Sequence, residues 1–311
     1  MQPKLVGRWA IGVTAVAAVL IAAWVCWPSA PEAERATGWQ VQTDLPMLVT
    51  GPRGLAVGSN GDVYVPEAGY VQRLPSGGFH PERLPVPGLK SPFAVAVGPA
   101  DELYVGEYTT RRVLKISADR KTITPLLLPD STATETSLGI GVAVDHSGTL
   151  FVTDIDRSRV LKLAAGAASF EVVATVEHVR PVLAVSGDGD LVALVSDPAP
   201  GPGTSLLTFR GGAAPAVSTP VPGLQFVDAI AIDHRGNRLL ADNALAFASE
   251  NGELTSTRTA AIWRLEPQAA TPQRLPYTDL GEIGGITVDA ADTIYYTDSE
   301  PSRVVRLAPV G

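Results

Sequence analysis

The chain has 311 residues, a formal net charge of −8, 45% apolar residues and only 6% aromatic ones. Twenty-four Lys and Arg against 32 Asp and Glu exclude a broad basic face, and with it a nucleic-acid partner. The single cysteine, Cys26, excludes a disulfide framework and a Cys-rich zinc module, whereas 30 Gly and 26 Pro point to a folded chain with many turns.

Residues 1–8 carry Lys4 and Arg8 and are expected in the cytoplasm. Residues 9–27, WAIGVTAVAAVLIAAWVCW, are 19 uncharged residues, about 28 Å as a helix at ~1.5 Å per residue. They predict a single transmembrane anchor with Trp9, Trp24 and Trp27 at its interfaces and everything after it outside the cytoplasm, at the cell membrane. A cleaved signal segment, and so a secreted protein, is the competing reading. Cutting after Ala30 or Ala33 would put Pro28 or Pro31 three residues back, where a small residue is wanted. Val25 before Cys26 argues against a lipoprotein site. Residues 28–37, PSAPEAERAT, have no periodicity and predict a short extended linker, and the folded domain spans 38–311.

From there one motif recurs. GLAVGSNGDVYVPE begins at Gly54, AVAVGPADELYVGE at Ala94, GVAVDHSGTLFVTD at Gly141, VLAVSGDGDLVALVSD at Val182, AIAIDHRGNRLLAD at Ala229 and GITVDAADTIYYTD at Gly285. The apolar anchors Val57, Val97, Val144, Val185, Ile232 and Val288 are 40, 47, 41, 47 and 56 residues apart. Periods of roughly 40–50 residues in a strand-rich chain predict propeller blades. Each unit contains two alternating apolar runs, then a third such as RVLKI (112–116), RVLKL (159–163), AIWRL (261–265) or RVVRL (303–307), and a more variable fourth. The expectation is an all-β, six-bladed β-propeller of four-stranded blades. Its last repeat has room for three strands only, so WQVQTDL (39–45) is expected to supply the fourth and close the ring.

These units resemble NHL repeats, best in GVAVDHSGTLFVTDIDRSRVLKLAAG (141–166), and that stretch is similar to the extracytoplasmic sensor propeller of bacterial receptor serine/threonine kinases. The resemblance covers nearly all of residues 39–311 and implies a sensor-like propeller without its kinase, since no Gly-rich loop or catalytic-loop motif is present. Propellers of this type serve as sensors, scaffolds and enzymes, so function must be argued from the site.

An acid follows each anchor by ten residues in five blades, Glu67, Glu107, Asp154, Asp242 and Asp298, with Asp197 shifted by two in blade four. In three blades an Arg lies five residues further on, which predicts structural pairs across a turn: Glu107 with Arg112, Asp154 with Arg159, and Asp298 with Arg303. The position four before each anchor predicts the channel mouth on the ligand face: Arg53, Phe93, Ile140, Pro181, Asp228 and Gly284, of which Arg53, Phe93, Ile140 and Asp228 are the ligand-binding candidates. Sugar-lactonase propellers gather Glu, Asn and Asp around a divalent ion, and here only Asp228 is so placed. Streptogramin lyase propellers need a His on this face. His146 and His234 fall in turns on the opposite face, His80 and His178 in or near outer strands, and no two share a metal-ligating spacing.

Blade five is interrupted by ALAFASENGELTSTRTA (244–260), expected as a long loop on the ligand face, with Phe247, Glu250, Asn251 and Glu253 as a candidate binding loop beside the Pro-Gly segment 198–203. No catalytic residue, metal or cofactor is assigned. The expected function is a membrane-anchored, extracytoplasmic binding or sensing propeller whose partner is a small molecule, a cell-wall component or an envelope protein. The alternative is a lactonase-like hydrolase or a lyase of the six-bladed superfamily.

Overall fold

In a computed structural model, residues 39–108, 110–131, 139–197, 203–224, 226–250 and 253–309 are described; residues 1–38, including the expected anchor and linker, lie outside this set. Among the described residues no helix is long and apolar enough to cross a membrane.

After β1 (Trp39–Asp44) the chain makes six consecutive sheets. Blade one is β2 (Ala56–Val57), β3 (Val63–Glu67), β4 (Tyr70–Leu74) and β5 (Glu82–Pro85); blade two is β6 (Pro92–Val97), β7 (Leu103–Glu107), β8 (Arg112–Ile116) and β9 (Ile123–Leu127). Blade three is β10 (Val142–Val144), β11 (Leu150–Asp154), β12 (Arg159–Leu163) and β13 (Glu171–Thr175); blade four is β14 (Val179–Val185), β15 (Leu191–Asp197), β16 (Gly203–Phe209) and β17 (Ala216–Pro220). Blade five is β18 (Val227–Ile232), β19 (Arg238–Glu250), β20 (Glu253–Leu265) and β21 (Gln273–Arg274). Blade six is β22 (Ile283–Val288), β23 (Ile294–Asp298) and β24 (Arg303–Pro309), with β1 antiparallel to β24 in the same sheet.

The second strand of a blade is buried along its whole length in β3, β7, β11 and β23, which is why it reads as an apolar run rather than an alternation. The outer strands β5, β9, β13 and β17 are largely exposed and correspondingly variable in sequence. Turns between first and second strands repeat an Asx device: the Oδ1 of Asp145, Asp233 and Asp289 each accepts two backbone N–H bonds from residues two and four further on. His146 and His234 sit in two of these turns.

Six apolar clusters fill the interfaces between blades. Val71 and Leu103 belong to the one between blades one and two, Ile140 and Val113 to that between two and three, and Phe209 and Val160 to that between three and four. Leu240 and Leu194 lie between four and five, Tyr296 and Ile262 between five and six, and Val304 and Val65 between six and one. Every blade is therefore packed on both sides, including the first against the last.

Around the channel the inner strands approach backbone to backbone. A Cβ on Gly141 would stand 2.5 Å from the carbonyl oxygen of Pro181 in the next blade, and one on Gly284 would stand 2.3 Å from that of Pro52. Only glycine permits this separation. Gly141→Ala in the full chain is expected to lower stability by about 1–3 kcal/mol through overpacking against an immovable carbonyl. Gly187→Ala, whose Cβ meets nothing within 4 Å, is the control expected to be neutral. Equal unfolding midpoints for the two variants, by chemical denaturation, would remove backbone contact as the reason for glycine here.

Candidate functional site

The channel opens through a narrow cavity of about 80 Å³ lined by residues in or just before the inner strand of every blade, among them Arg53, Phe93, Gly141, Pro181, Asp228 and Gly284. Five of the six expected mouth residues thus meet at one place. In three blades the inner strand carries a register shift: the ladder skips between Pro92 and Ala94, between Val227 and Ala229, and between Ile283 and Gly285, whereas Arg53 reaches the mouth from the segment before β2 without one. Phe93, Asp228 and Gly284 are the skipped residues. A comparable gap between Val179 and Leu183 contains Pro181. A bulged residue leaves the ladder and can be re-aimed, here into the channel.

Ile140 is the exception and corrects the sequence reading. Ile140 precedes β10, which starts at Val142, and is fully buried in the cluster between blades two and three. Gly141 and Val142 line the channel in its place.

Polar groups collect on one arc of the mouth. Asp228 pairs with Arg180 through Oδ1, while its Oδ2 accepts a 2.9 Å hydrogen bond from Asn243 Nδ2. Asn243 is itself pinned to blade six, donating 3.0 Å to the Ile283 carbonyl and accepting 3.0 Å from the Ile283 N–H. Arg53 is exposed, and its side chain has no hydrogen bond or ion pair among the described residues. On the opposite arc Phe93 stacks on Tyr108, ring centroids 6.0 Å apart at 29°. Sequence reasoning missed Arg180, Asn243 and Tyr108. Arg180 and Tyr108 adjoin motif positions already singled out, Pro181 and Glu107. Asn243 follows Asp242, the blade-five acid, and could have been found the same way.

The acids beside the mouth act within the scaffold. Glu67 accepts a 2.9 Å bond from the Thr50 N–H, Glu107 one of 2.9 Å from Lys90 and Asp242 one of 2.7 Å from Phe226, so each ties the segment leading into its own blade. Glu107 meets Arg112 at 2.5 Å, Asp154 meets Arg159 at 2.6 Å and Asp298 meets Arg303 at 3.0 Å. Asp154 also holds Arg111 of blade two at 2.7 Å, a buried pair between blades that the spacing rule did not foresee. The side chain of Asp197 lies outside the described set.

A divalent-ion site needs carboxylate and amide oxygens with lone pairs facing a common point. Asp228 already spends one oxygen on Arg180 and the other on Asn243, and the Asn243 oxygen is taken by an N–H. The residues here do not fit such an ion, and among the described residues no group of three or more His, Cys, Asp or Glu could hold a metal.

The histidine assignment also changes. The exposed His178 occupies the turn from β13 to β14, two residues before Arg180, and so stands on the rim of the mouth face. The blade-five insertion is not an irregular loop. Residues 244–250 and 253–259 extend β19 and β20 into a ribbon paired from Arg238 with Leu265 to Glu250 with Glu253, and Arg258 forms an ion pair with Glu282 of blade six. Phe247, Glu250 and Glu253 lie in its strands; Asn251 and residues 198–202 lie outside the described residues.

No known family profile matches the chain, and no curated protein does. Solved structures do. A gluconolactonase from Xanthomonas campestris superposes with a TM-score of 0.64 at 14% identity, covering 91% of this chain and 99% of the other. A streptogramin B lyase gives 0.61 at 15% identity, covering 89% and 100%. A structure of the nidogen/laminin complex gives 0.62 at 15% identity, covering 79% and 88%. The protein is a six-bladed β-propeller, and its architecture is shared with lactonase and lyase enzymes. At these identities the likeness is one of fold.

Two acids in equivalent positions have opposite environments. Burial pushes the Glu67 carboxyl up, its Arg position being taken by Gln72, and the Thr50 N–H and the charge of Arg83 offset this only in part. Burial also acts on Glu107, but the Arg112 guanidinium, the Lys90 N–H and the Thr110 hydroxyl outweigh it and hold the carboxyl below its usual value. A depressed carboxyl stabilises the fold above the unfolded value of about 4.3 and loses this as pH falls through the folded value, whereas a raised one costs stability when ionised. Glu107→Gln is therefore expected to melt below the parent at pH 7, the gap closing towards pH 3. Glu67→Gln should melt at or above the parent at pH 7. Parallel losses in both, by thermal melts between pH 3 and 8, would show the environments to be equivalent.

Proposed function

We propose that the protein binds a small molecule at the mouth of its central channel, without transforming it, and that the apolar segment 9–27 holds this propeller outside the cytoplasm as a sensing or binding module. One observation carries the reading. The acids at the ends of the second strands repeat from blade to blade, as a scaffold device does, whereas the five mouth positions Arg53, Phe93, Pro181, Asp228 and Gly284 repeat neither charge nor size. Mouth residues that occupy bulges contribute little to the ladder, so their variety answers to something other than folding. The NHL-like sequence of 141–166 supports a sensor in particular. Full-length protein carried from its membrane into nanodiscs is expected to show a bound small molecule by native mass spectrometry, lost in Arg180→Gln. Retention of that molecule in Arg180→Gln and in Phe93→Ala would overturn the mouth as its site.

A second reading, a lactonase-like hydrolase or a lyase, is favoured by the solved structures that share the fold and by His178 on the rim. Saturable opening of a lactone, or elimination from a cyclic ester, that disappears in His178→Ala would decide for it.

We propose also that β1 is the strand that closes the ring. The support is its antiparallel register with β24, from Val41 opposite Ala308 to Asp44 opposite Val305, and the Arg303–Asp44 contact at 3.1 Å. Deleting residues 39–46 from the full chain should leave β24 with an open edge and produce aggregation or a broadened unfolding transition. An unchanged transition would reject this role.

A further inference from the structure

The two arcs of the mouth differ in chemistry, and their difference specifies a ligand class. On the first arc Arg180 cancels Asp228, and Arg258 cancels Glu282, by direct ion pairs. Arg53 is left over, an exposed cation whose side chain has no partner among the described residues, in a chain whose formal charge is −8. A cation kept uncompensated at a concave site of an acidic protein attracts one anionic group, and a guanidinium favours a planar carboxylate that it can grip with two N–H donors.

The second arc is apolar and shaped. Phe93 and Tyr108 stack at 29°, and Tyr108 stays 43% exposed although it is among the larger apolar side chains. Gly139, at φ +115°, lies between these rings and Pro181: a Cβ placed on it would stand 3.3 Å from Tyr108 Cδ2, 3.6 Å from Phe93 Cδ2 and 3.6 Å from Pro181 Cβ. Three apolar side chains therefore converge around a residue with no side chain of its own. Arg53 and Phe93 line the same cavity from adjacent blades, Gly54 lying against the Phe93 carbonyl. The cavity, about 80 Å³, is too small to enclose an aromatic molecule, so the ligand lies across the mouth and sends only a small group inward.

Resting on the mouth being the binding site, we propose that the ligand is an aryl or flat apolar carboxylate, its ring against Phe93, Tyr108 and Pro181 and its carboxylate on Arg53. The aromatic arc supplies stacking and the exclusion of water, and Arg53 supplies the sign of the charge.

Three matched probes separate these contributions: 3-phenylpropanoate, its neutral amide 3-phenylpropanamide, and propanoate. They are to be titrated against the full-length protein in nanodiscs by saturation-transfer NMR, with empty nanodiscs as the blank. 3-Phenylpropanoate is expected to bind at least about tenfold more tightly than either of the others. Arg53→Gln should bring the carboxylate to the level of the amide and leave the amide unchanged, and Phe93→Ala should weaken both ring-bearing probes. Equal binding of acid and amide, retention of the preference in Arg53→Gln, or no binding of the acid at millimolar concentration would overturn the ligand class. In each of those cases the mouth remains the site if the co-purified molecule is still lost in Arg180→Gln. If that molecule persists in every mouth variant, the site itself is elsewhere.

Discussion

The contact on which the rest depends is the approach of one inner strand to the next around the channel. Gly141 lies against the Pro181 carbonyl, Gly284 against that of Pro52 and Gly54 against that of Phe93. Such separations leave no room for side chains between neighbouring inner strands, so the apolar side chains of each blade are displaced outward into the clusters between blades. The clusters supply the burial that stabilises the ring, and the glycines set its inner radius. The narrow channel and the position of the ligand face at its end follow from that radius.

Much of this was legible in the sequence because it repeats. The Asp145, Asp233 and Asp289 turns, the acids ten residues after the anchor in five blades and the Arg residues five beyond them in three recur with a fixed spacing, and local hydrogen bonding explains each. What did not repeat was harder to read. Counting four back from Val144 reached Ile140, which is buried between blades two and three, and the same count in blade one reached Arg53 at the mouth although neither blade has the register shift seen at Phe93 and Asp228. The pairing of Arg111 with Asp154 joins two blades and depends on their spacing in three dimensions. The insertion in blade five looked like a loop because it is much longer than the equivalent turns and its Ala, Glu, Asn and Gly are weak strand formers, yet its two halves continue a ladder that β19 and β20 had already begun.

The likeness to lactonase and lyase structures and the departures at the mouth bear on different levels. The fold accounts for where a ligand can sit, since six inner strands end together at one opening. It does not fix the chemistry there. Asp228 is a good example: it lines the mouth, but Arg180 and Asn243 occupy both its oxygens, and it serves here as part of a fixed polar wall.

The bulges have a consequence for how this protein can change over generations. Because Phe93, Asp228 and Gly284 stand outside the ladder, substitutions at Phe93 or Asp228 would leave the strand pairing and the clusters between blades as they are. Selection can therefore alter what the opening recognises one blade at a time at little cost to stability. Gly284, pressed against the Pro52 carbonyl, does not share that freedom. The opening is evolvable at some of its positions and fixed at others, and lineages carrying this ring are expected to diverge first at Phe93 and Asp228.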